Sequence, residues 1–262
     1  MTSSTKVNPA PLTREEALAL AERCAETLRN EFQARRVIPF GSVRGDAPWR
    51  ADSDIDLAVE GVPGELFFHA WSAVERTLPR GVGLDLVDLE TASPELRARI
   101  LEEIEMPNDP IKQLEGLVQD ELTALGRVNE RMAEALANRS EPPAWQDLTV
   151  IASQMHGFYT GVERIFERIL DWIGEPKPDG RFWHADLLDQ VYAARPGVRP
   201  PMVDAHLYGR LESLRKFRHF FRHTYGLDLD WTRMQHDAES MSDTLQKLRE
   251  QLAHFFDQLR QL

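Results

Sequence analysis

Two short segments decide the fold of the first part of this chain: VIPFGSVRG at residues 37–45 and SDIDLAV at residues 53–59. Each contains an apolar run of strand length, and the first run is interrupted by Gly41 and Ser42. Asp54 and Asp56 are spaced by one residue, and alternate residues of an extended strand share a face. We therefore predict two carboxylates pointing the same way beside a Gly-Ser turn. Such a pair can bind a divalent cation that carries the phosphates of a nucleotide.

The surrounding sequence predicts an α+β domain over residues 1–110. Thr13 and Glu16 form a capping-box pattern that starts a helix. Strands are predicted over 36–40, 55–59 and 82–89, and helices over 65–78 and 94–105, which gives a small mixed sheet with flanking helices. Residues 1–12 are small, polar and proline-containing and are expected to be disordered. Asp85 lies inside the third strand, where an apolar run rarely keeps a carboxylate without a use for it.

Beyond a proline-rich linker at 106–110 the strand signals stop. Residues 111–262 have helical periodicity, and helices are predicted over 114–136, 145–173, 185–193, 202–225 and 228–262. The sequence therefore predicts an all-α helical bundle as the second domain.

Composition and charge limit the classes of protein. With 42% hydrophobic and 28% charged residues, the chain has the composition of a globular protein, and no apolar run approaches the length of a membrane span. The N-terminus lacks the apolar core of a signal peptide, so we expect a cytoplasmic protein. One cysteine, Cys24, excludes an intrachain disulfide. The net charge of −12 argues against broad binding of nucleic acid, but residues 208–223 form a local basic patch that contains Arg210, Arg215, Lys216, Arg218 and Arg222.

The pattern G-S-x-x-G followed by S-D-x-D and a later Asp resembles the DNA polymerase β-type nucleotidyltransferases, above all the minimal nucleotidyltransferases of prokaryotes. The resemblance covers about residues 35–105 and rests on Gly41, Ser42, Arg44-Gly45, Ser53 to Leu57 and Asp85. In these enzymes the turn often has another residue before its Arg-Gly pair. Each feature taken alone is also what an ordinary turn or a solvent-facing strand would show.

This resemblance implies ATP as nucleotide substrate and Mg²⁺ as metal. Asp54, Asp56 and Asp85 would be the catalytic and metal-binding carboxylates, with Asp85 also helping an acceptor hydroxyl to lose its proton. Gly41, Ser42 and Ser53 would contact the nucleotide, because backbone N–H groups and a hydroxyl beside a glycine can approach phosphate oxygens closely.

The segment RHFFRHTY at residues 218–225 has the form R-x-x-x-x-H-x-Y and resembles the HEPN superfamily, whose helical domains include HepT-like, metal-independent ribonuclease toxins. The resemblance covers about residues 115–260. It implies that Arg218 and His223 act on an RNA phosphodiester, Arg218 on the phosphate charge and His223 as general base or acid. A straight helix places these two residues about 140° apart, so they need a helix end, a distortion or a dimer cleft to converge. An ordinary amphipathic helix is the alternative.

Together the two halves predict a fused toxin–antitoxin protein of the type VII kind. Its nucleotidyltransferase would transfer AMP from ATP to Tyr225 and so silence the ribonuclease. Self-association as a homodimer or higher oligomer through the HEPN domain is expected, with RNA as substrate and no membrane partner. An aminoglycoside-type antibiotic adenylyltransferase and a catalytically idle oligomeric binding module remain the alternatives.

Overall fold

The computed structural model describes residues 12–45, 49, 53–79, 81–102, 109–180, 182–223 and 229–261. The chain divides into two compact units, Met1–Glu105 and Met106–Leu262. Residues 103–108, which include most of the predicted linker, lie outside the described residues. The predicted boundary after residue 110 coincides with the first residue of a long helix, Pro110–Asn138.

The described elements follow one another in a simple order. The first unit contains α1 (Arg14–Phe32), β1 (Arg36–Phe40), α2 (Gly41–Arg44), β2 (Ile55–Glu60), a 3₁₀ turn (Gly64–Leu66), α3 (Phe67–Glu75), β3 (Leu84–Asp88) and α4 (Pro94–Ile100). The second unit is helical and contains α5 (Pro110–Asn138), α6 (Trp145–Ile173), α7 (Trp183–Tyr192), α8 (Ala205–His223), α9 (Trp231–Glu239) and α10 (Met241–Leu259).

The N-terminal capping box is confirmed. The Thr13 hydroxyl accepts from the backbone N–H of Glu16, and the Glu16 carboxylate accepts from the Thr13 N–H at 2.8 Å. Residues 1–11 of the predicted disordered segment lie outside the described residues. For Leu12 the prediction is wrong: its side chain packs against the core, and its carbonyl accepts from the Trp49 indole N–H at 2.7 Å.

The sheet has the order β1-β2-β3, with β1 antiparallel and β3 parallel to β2. This confirms the small mixed sheet. One face packs on α1 and α3 through Ile55, Leu57, Val59, Leu84 and Leu86. The opposite face has a smaller apolar cluster, in which Ala58 packs with Leu89 and with Ile100 of α4. The sheet is therefore covered on both faces along part of its length, and the remaining part of the second face carries the aspartates.

The second unit has one core to which each of its helices contributes, which confirms the helical bundle. α6 contributes most, with Ile151, Met155, Phe158, Tyr159, Val162, Ile165, Phe166 and Ile169 buried at helical spacing. The bounds of α6 are those that its periodicity predicts. No described helix combines the length and apolar character that crossing a bilayer would require.

The prediction of a single helix over 228–262 is wrong. Asp230 caps α9 by accepting from the Thr232 N–H at 2.9 Å, and Ser240, at φ −91° and ψ 1°, separates α9 from α10. The apolar stripe stays in phase across the break, because Met234, Ala238, Met241 and Leu245 are all buried. Hydrophobic periodicity alone therefore cannot reveal this break.

Candidate functional site

The three predicted carboxylates of the first unit lie on one face of the sheet. Asp56 and Asp85 are register partners in the parallel β2–β3 pair, and Asp54 precedes Asp56 by two residues. Paired residues of adjacent strands point to the same face, about 4.8 Å apart across the strands. Asp54 and Asp85 are exposed and Asp56 is half-buried. The prediction that Asp54 and Asp56 point the same way fits this geometry, and Asp85 lies on the same face.

Two glycines leave room for these carboxylates. A Cβ built on Gly41 would collide with the Asp56 carboxylate, and one built on Gly83 would collide with the Asp54 carboxylate. The two carboxylates therefore lean toward opposite neighbours, Asp56 toward the end of β1 and Asp54 toward the start of β3. Within the described residues, no three or more His, Cys, Asp or Glu side chains form a group that could hold a metal ion. Three carboxylates on one sheet face are nevertheless ligands of the type that Mg²⁺ takes.

The Gly-Ser turn is a single helical turn, α2, directly after β1. Gly41 has φ +66°, which favours glycine, and its missing side chain gives Asp56 its space. Arg14 of α1 holds the turn by donating to the carbonyls of Val43 and Arg44. Ser42 and Ser53 are both half-buried, at the start of α2 and just before β2.

Arg44 has a structural contact at the end of this turn. Its guanidinium donates to the Ile100 carbonyl at 3.2 Å and to the Glu102 carboxylate at 3.0 Å. It thereby ties α2 to the C-terminus of α4.

In the second unit, the described part of the R-x-x-x-x-H-x-Y motif lies at the end of α8. Leu207, Leu211 and Leu214 are buried, and Phe217 and Phe221 pack against the same core, which confirms the predicted apolar stripe. His223 is the last residue of α8, at a helix end as the motif requires, but its side chain lies outside the described part. Tyr225 also lies outside the described residues.

Arg218 faces into the bundle. Its side chain is only 12% exposed, and its Nε lies 3.4 Å from Glu163 Oε2 of α6. Its Nη1 lies 2.9 Å from His184 Nε2 of α7, and His184 Nδ1 lies 2.7 Å from Glu163 Oε1. Glu163, His184 and Arg218 thus form a closed set of contacts between three helices, which we call the polar triangle.

Burial determines the protonation of the polar triangle. It raises the pKa of Glu163 to about 7, against the opposing effect of the Arg218 charge. Burial, together with the charge of Arg218, lowers the pKa of His184 to about 4. At neutral pH His184 is therefore uncharged, and Arg218 is the cation of the set.

Part of the predicted basic patch is engaged in ion pairs within the second unit. Arg210 pairs with Asp243 at 2.7 Å, and Arg215 forms two hydrogen bonds to Glu212 at 2.6 and 2.9 Å. Lys216 also lies 3.1 Å from Glu212. Arg210 and Arg215 therefore each have an acidic partner within the protein, whereas Lys216 shares Glu212 with Arg215 and its side chain is 68% exposed.

A polar stripe on α6 lines the contact with α8. His156 and Thr160 precede Glu163 along the same side of the helix, and Thr160 Oγ1 lies 3.5 Å from Arg218 Nε. Burial lowers the pKa of His156, and Arg218 and Arg222 lower it further. Its Nδ1 is buried without a hydrogen bond in the described part of the chain, while its ring lies 5.7 Å from that of Phe221.

Sequence reasoning missed Gly83, Glu163 and His184. Glu163 carries a detectable signal, because it is an acidic residue among the buried positions of a strongly apolar helix stripe. His184 carries no such signal in the sequence. It lies 34 residues before Arg218, and only the packing of α7 against α6 and α8 brings the two side chains together. Gly83 is identified only in the structure, where the Asp54 carboxylate lies in the space that a side chain on Gly83 would need.

A family model described as HepT-like protein matches residues 150–259. The match begins inside α6 and ends with α10, so it contains the whole polar triangle. It supports a HEPN-type domain in the C-terminal unit, as predicted, and favours a toxin-type ribonuclease module. No curated protein and no solved structure matches the chain.

Proposed function

We propose that this chain is a fused toxin–antitoxin protein, in which a nucleotidyltransferase unit modifies a ribonuclease unit of the same chain or of a second copy. The observation that carries the proposal is the position of the R-x-x-x-x-H-x-Y motif. It ends α8 inside the HepT-like match, with its arginine buried against Glu163 and His184.

The ribonuclease reaction assigned to the second unit needs no metal. The ribose 2′-oxygen attacks the adjacent phosphorus, the bond from phosphorus to the 5′-oxygen breaks, and the 5′-hydroxyl leaves with a proton. His223 takes or gives one of these protons, since histidine changes its charge near neutral pH. Arg218 stabilises the negative charge that builds up on the phosphate.

The reaction assigned to the first unit is the transfer of AMP from ATP to Tyr225. The phenolic oxygen attacks the α-phosphorus, the bond to the departing pyrophosphate breaks, and Asp85 accepts the phenolic proton. Gly41, Ser42 and Ser53 contact the nucleotide. Asp54, Asp56 and Asp85 would hold Mg²⁺, which when bound supplies positive charge next to the phosphates.

Modification would silence the ribonuclease by charge and size. AMP on Tyr225 adds a phosphodiester anion and a nucleoside two residues from His223. A negative group beside a site that binds RNA phosphate repels the substrate, and the nucleoside fills space that RNA needs. We propose in addition that the second unit self-associates, at least as a dimer, which analytical ultracentrifugation of the full chain would measure.

The ribonuclease is tested with full-length protein carrying Asp54→Asn and Asp56→Asn, so that AMP transfer is blocked. We expect this protein to cleave RNA in the presence of EDTA. Adding Arg218→Ala should abolish cleavage, whereas adding Arg233→Ala, which changes an exposed arginine of α9, should not. A protein with unmodified Tyr225 that leaves RNA intact would refute the ribonuclease.

The unsubstituted chain distinguishes the alternatives, because its Asp54 and Asp56 are intact. An aminoglycoside-type adenylyltransferase would transfer AMP from ATP to the drug and leave Tyr225 unchanged. An idle binding module would neither bind ATP with Mg²⁺ nor cleave RNA.

A further inference from the structure

The polar triangle contains two residues, Glu163 and His184, that lie outside the R-x-x-x-x-H-x-Y motif. Both approach the Arg218 guanidinium, from α6 and α7 respectively. Glu163 is 3% exposed and the His184 side chain 19%, so solvent cannot easily replace either contact. The His184 ring also packs against the Trp183 ring, with ring centroids 3.5 Å apart.

The contacts fix the tautomer of His184. A guanidinium has only donors and stays charged in proteins, so the Nε2 atom at 2.9 Å from Arg218 Nη1 must be the acceptor. The ring proton is then on Nδ1, where it is donated to Glu163 Oε1 at 2.7 Å. His184 therefore links a buried carboxylate to a guanidinium while remaining neutral.

This link determines the orientation of Arg218. Its Nε is directed at Glu163 and Thr160 and its Nη1 at His184, whereas Nη2 has no hydrogen bond to any described residue. Contacts at two of its three nitrogens restrict rotation of the planar guanidinium about its long side chain. Its remaining edge is thus presented in one direction.

We infer that His184 is a positioning residue of the ribonuclease site, which holds Arg218 so that its Nη2 edge meets the RNA phosphate. The inference rests on the ribonuclease function proposed above. His184 acts through Arg218 and takes no part in proton transfer with the RNA. A structural role alone would stabilise the bundle without affecting how Arg218 meets the substrate.

Two amides separate these roles. In His184→Gln the carboxamide reaches the position of Nε2 and can accept from Arg218. In His184→Asn it reaches only the position of Nδ1 and can contact Glu163 alone. Both are polar and smaller than histidine, so similar effects on stability are expected. His254→Gln, at an exposed position on α10, is the matched control.

The variants are made in the full chain with Asp54→Asn and Asp56→Asn, and RNA cleavage is measured. We expect His184→Asn to lower kcat by roughly tenfold or more with KM for RNA nearly unchanged, because misplacement of a catalytic group impairs the reacting geometry. His184→Gln should keep most of kcat. Nitrogen-15 NMR of the parent should show His184 protonated at Nδ1 and not at Nε2.

The possible results separate the positioning role of His184 from the ribonuclease function itself. Cleavage by His184→Asn at the parent's rate, while Arg218→Ala is inactive, would overturn the positioning role and leave the ribonuclease intact. A proton on Nε2 of His184 in the parent would overturn it too, whether or not the variants fold. No cleavage by the parent would overturn the ribonuclease, and the inference with it.

Discussion

Nη1 of Arg218 lies 2.9 Å from Nε2 of His184, a donor that is always charged facing an acceptor that must stay neutral. The arginine of the motif is thus an internal cation of the bundle as well as a candidate substrate contact. Glu163 completes the set at 3.4 Å from Arg218 Nε. Because two members of the polar triangle have shifted pKa values of opposite direction, the stability of this unit should depend on pH in a specific way.

We predict opposite pH profiles for two variants. Burial raises the pKa of Glu163 from 4.5 to about 7, so its contribution to stability is full below pH 4.5 and is lost as pH rises through 7. Burial and Arg218 lower the pKa of His184 from 6.5 to about 4, so its contribution is full above pH 6.5 and is lost as pH falls through 4. In the parent the two effects oppose each other.

Relative to the parent, Glu163→Gln should therefore gain stability as pH rises from 4.5 to 7. His184→Gln should lose stability relative to the parent as pH rises from 4 to 6.5, and each change should be on the order of 3 kcal/mol. Urea unfolding of the full chain at several pH values measures both slopes, with His254→Gln expected to follow the parent. Variants whose profiles run parallel to the parent would show that neither group titrates as stated.

We predict that Gly41→Ala blocks AMP transfer. The residue has φ +66°, where a side chain costs about 1–2 kcal/mol, and its Cβ would collide with the Asp56 carboxylate. Asp56 would have to move away from the face that it shares with Asp85. Incorporation of AMP from labelled ATP into the full chain measures the loss.

The matched control for this change is Gly64→Ala. Gly64 begins the 3₁₀ turn, and a Cβ there meets nothing within 4 Å. It should leave transfer unchanged. Transfer by Gly41→Ala at the parent's rate would argue that the space beside Asp56 has no part in the reaction.

We predict that Arg199→Met strongly destabilises the second unit. Arg199 is fully buried and donates to both oxygens of Glu175, at 2.8 and 3.2 Å, and to the carbonyls of Gln190 and Ala193. Without Arg199, the buried Glu175 carboxylate loses its main positively charged partner. Removing one partner of a buried ion pair costs about 3–5 kcal/mol. Thermal or urea unfolding measures the change.

Arg233→Met provides the comparison. This side chain is 77% exposed and lies 3.7 Å from Asp230, so its removal should alter the free energy of unfolding by less than about 1 kcal/mol. Equal effects of the two substitutions would mean that burial does not determine how much the Arg199–Glu175 ion pair contributes to the free energy of unfolding.

The sequence predicted the parts of the fold that local patterns control. The bounds of β1 and α6 match the prediction, because an apolar run before Gly41 and a long stripe between Ala144 and Gly174 mark their ends. Ser240 escaped detection because the apolar stripe of α9 continues in phase into α10. Local periodicity therefore predicted which segments are helical better than where one helix gives way to the next.

In the candidate sites too, local sequence patterns predicted some residues, whereas others are brought together only by the packing of helices. The sequence alone could place three carboxylates together, those of Asp54, Asp56 and Asp85. Residue alternation puts the first two on one face of β2, and the neighbouring parallel strand β3 brings Asp85 beside them. The contact of Arg218 with His184 joins residues 34 positions apart through the packing of three helices. No spacing rule links them, so a sequence alone could identify the motif and not the residues that hold its arginine.

Substitution can distinguish the proposed AMP acceptor, Tyr225, from the other tyrosines of the chain. Of the four, Tyr159 is buried, and the hydroxyl of Tyr208 donates to Asp189 at 2.5 Å. Tyr192 is 43% exposed, so it is the control for non-specific modification. Tyr225→Phe should abolish AMP incorporation and Tyr192→Phe should not.

Mass spectrometry of the full chain incubated with ATP and Mg²⁺ measures whether Tyr225 receives AMP. We expect a gain of a whole number of AMP units, mapped to the peptide that contains Tyr225 and absent when Asp54 and Asp56 are both changed to Asn. If Tyr225 is unmodified at the start and the protein gains no AMP, or gains it only elsewhere, the proposed transfer of AMP to Tyr225 is wrong.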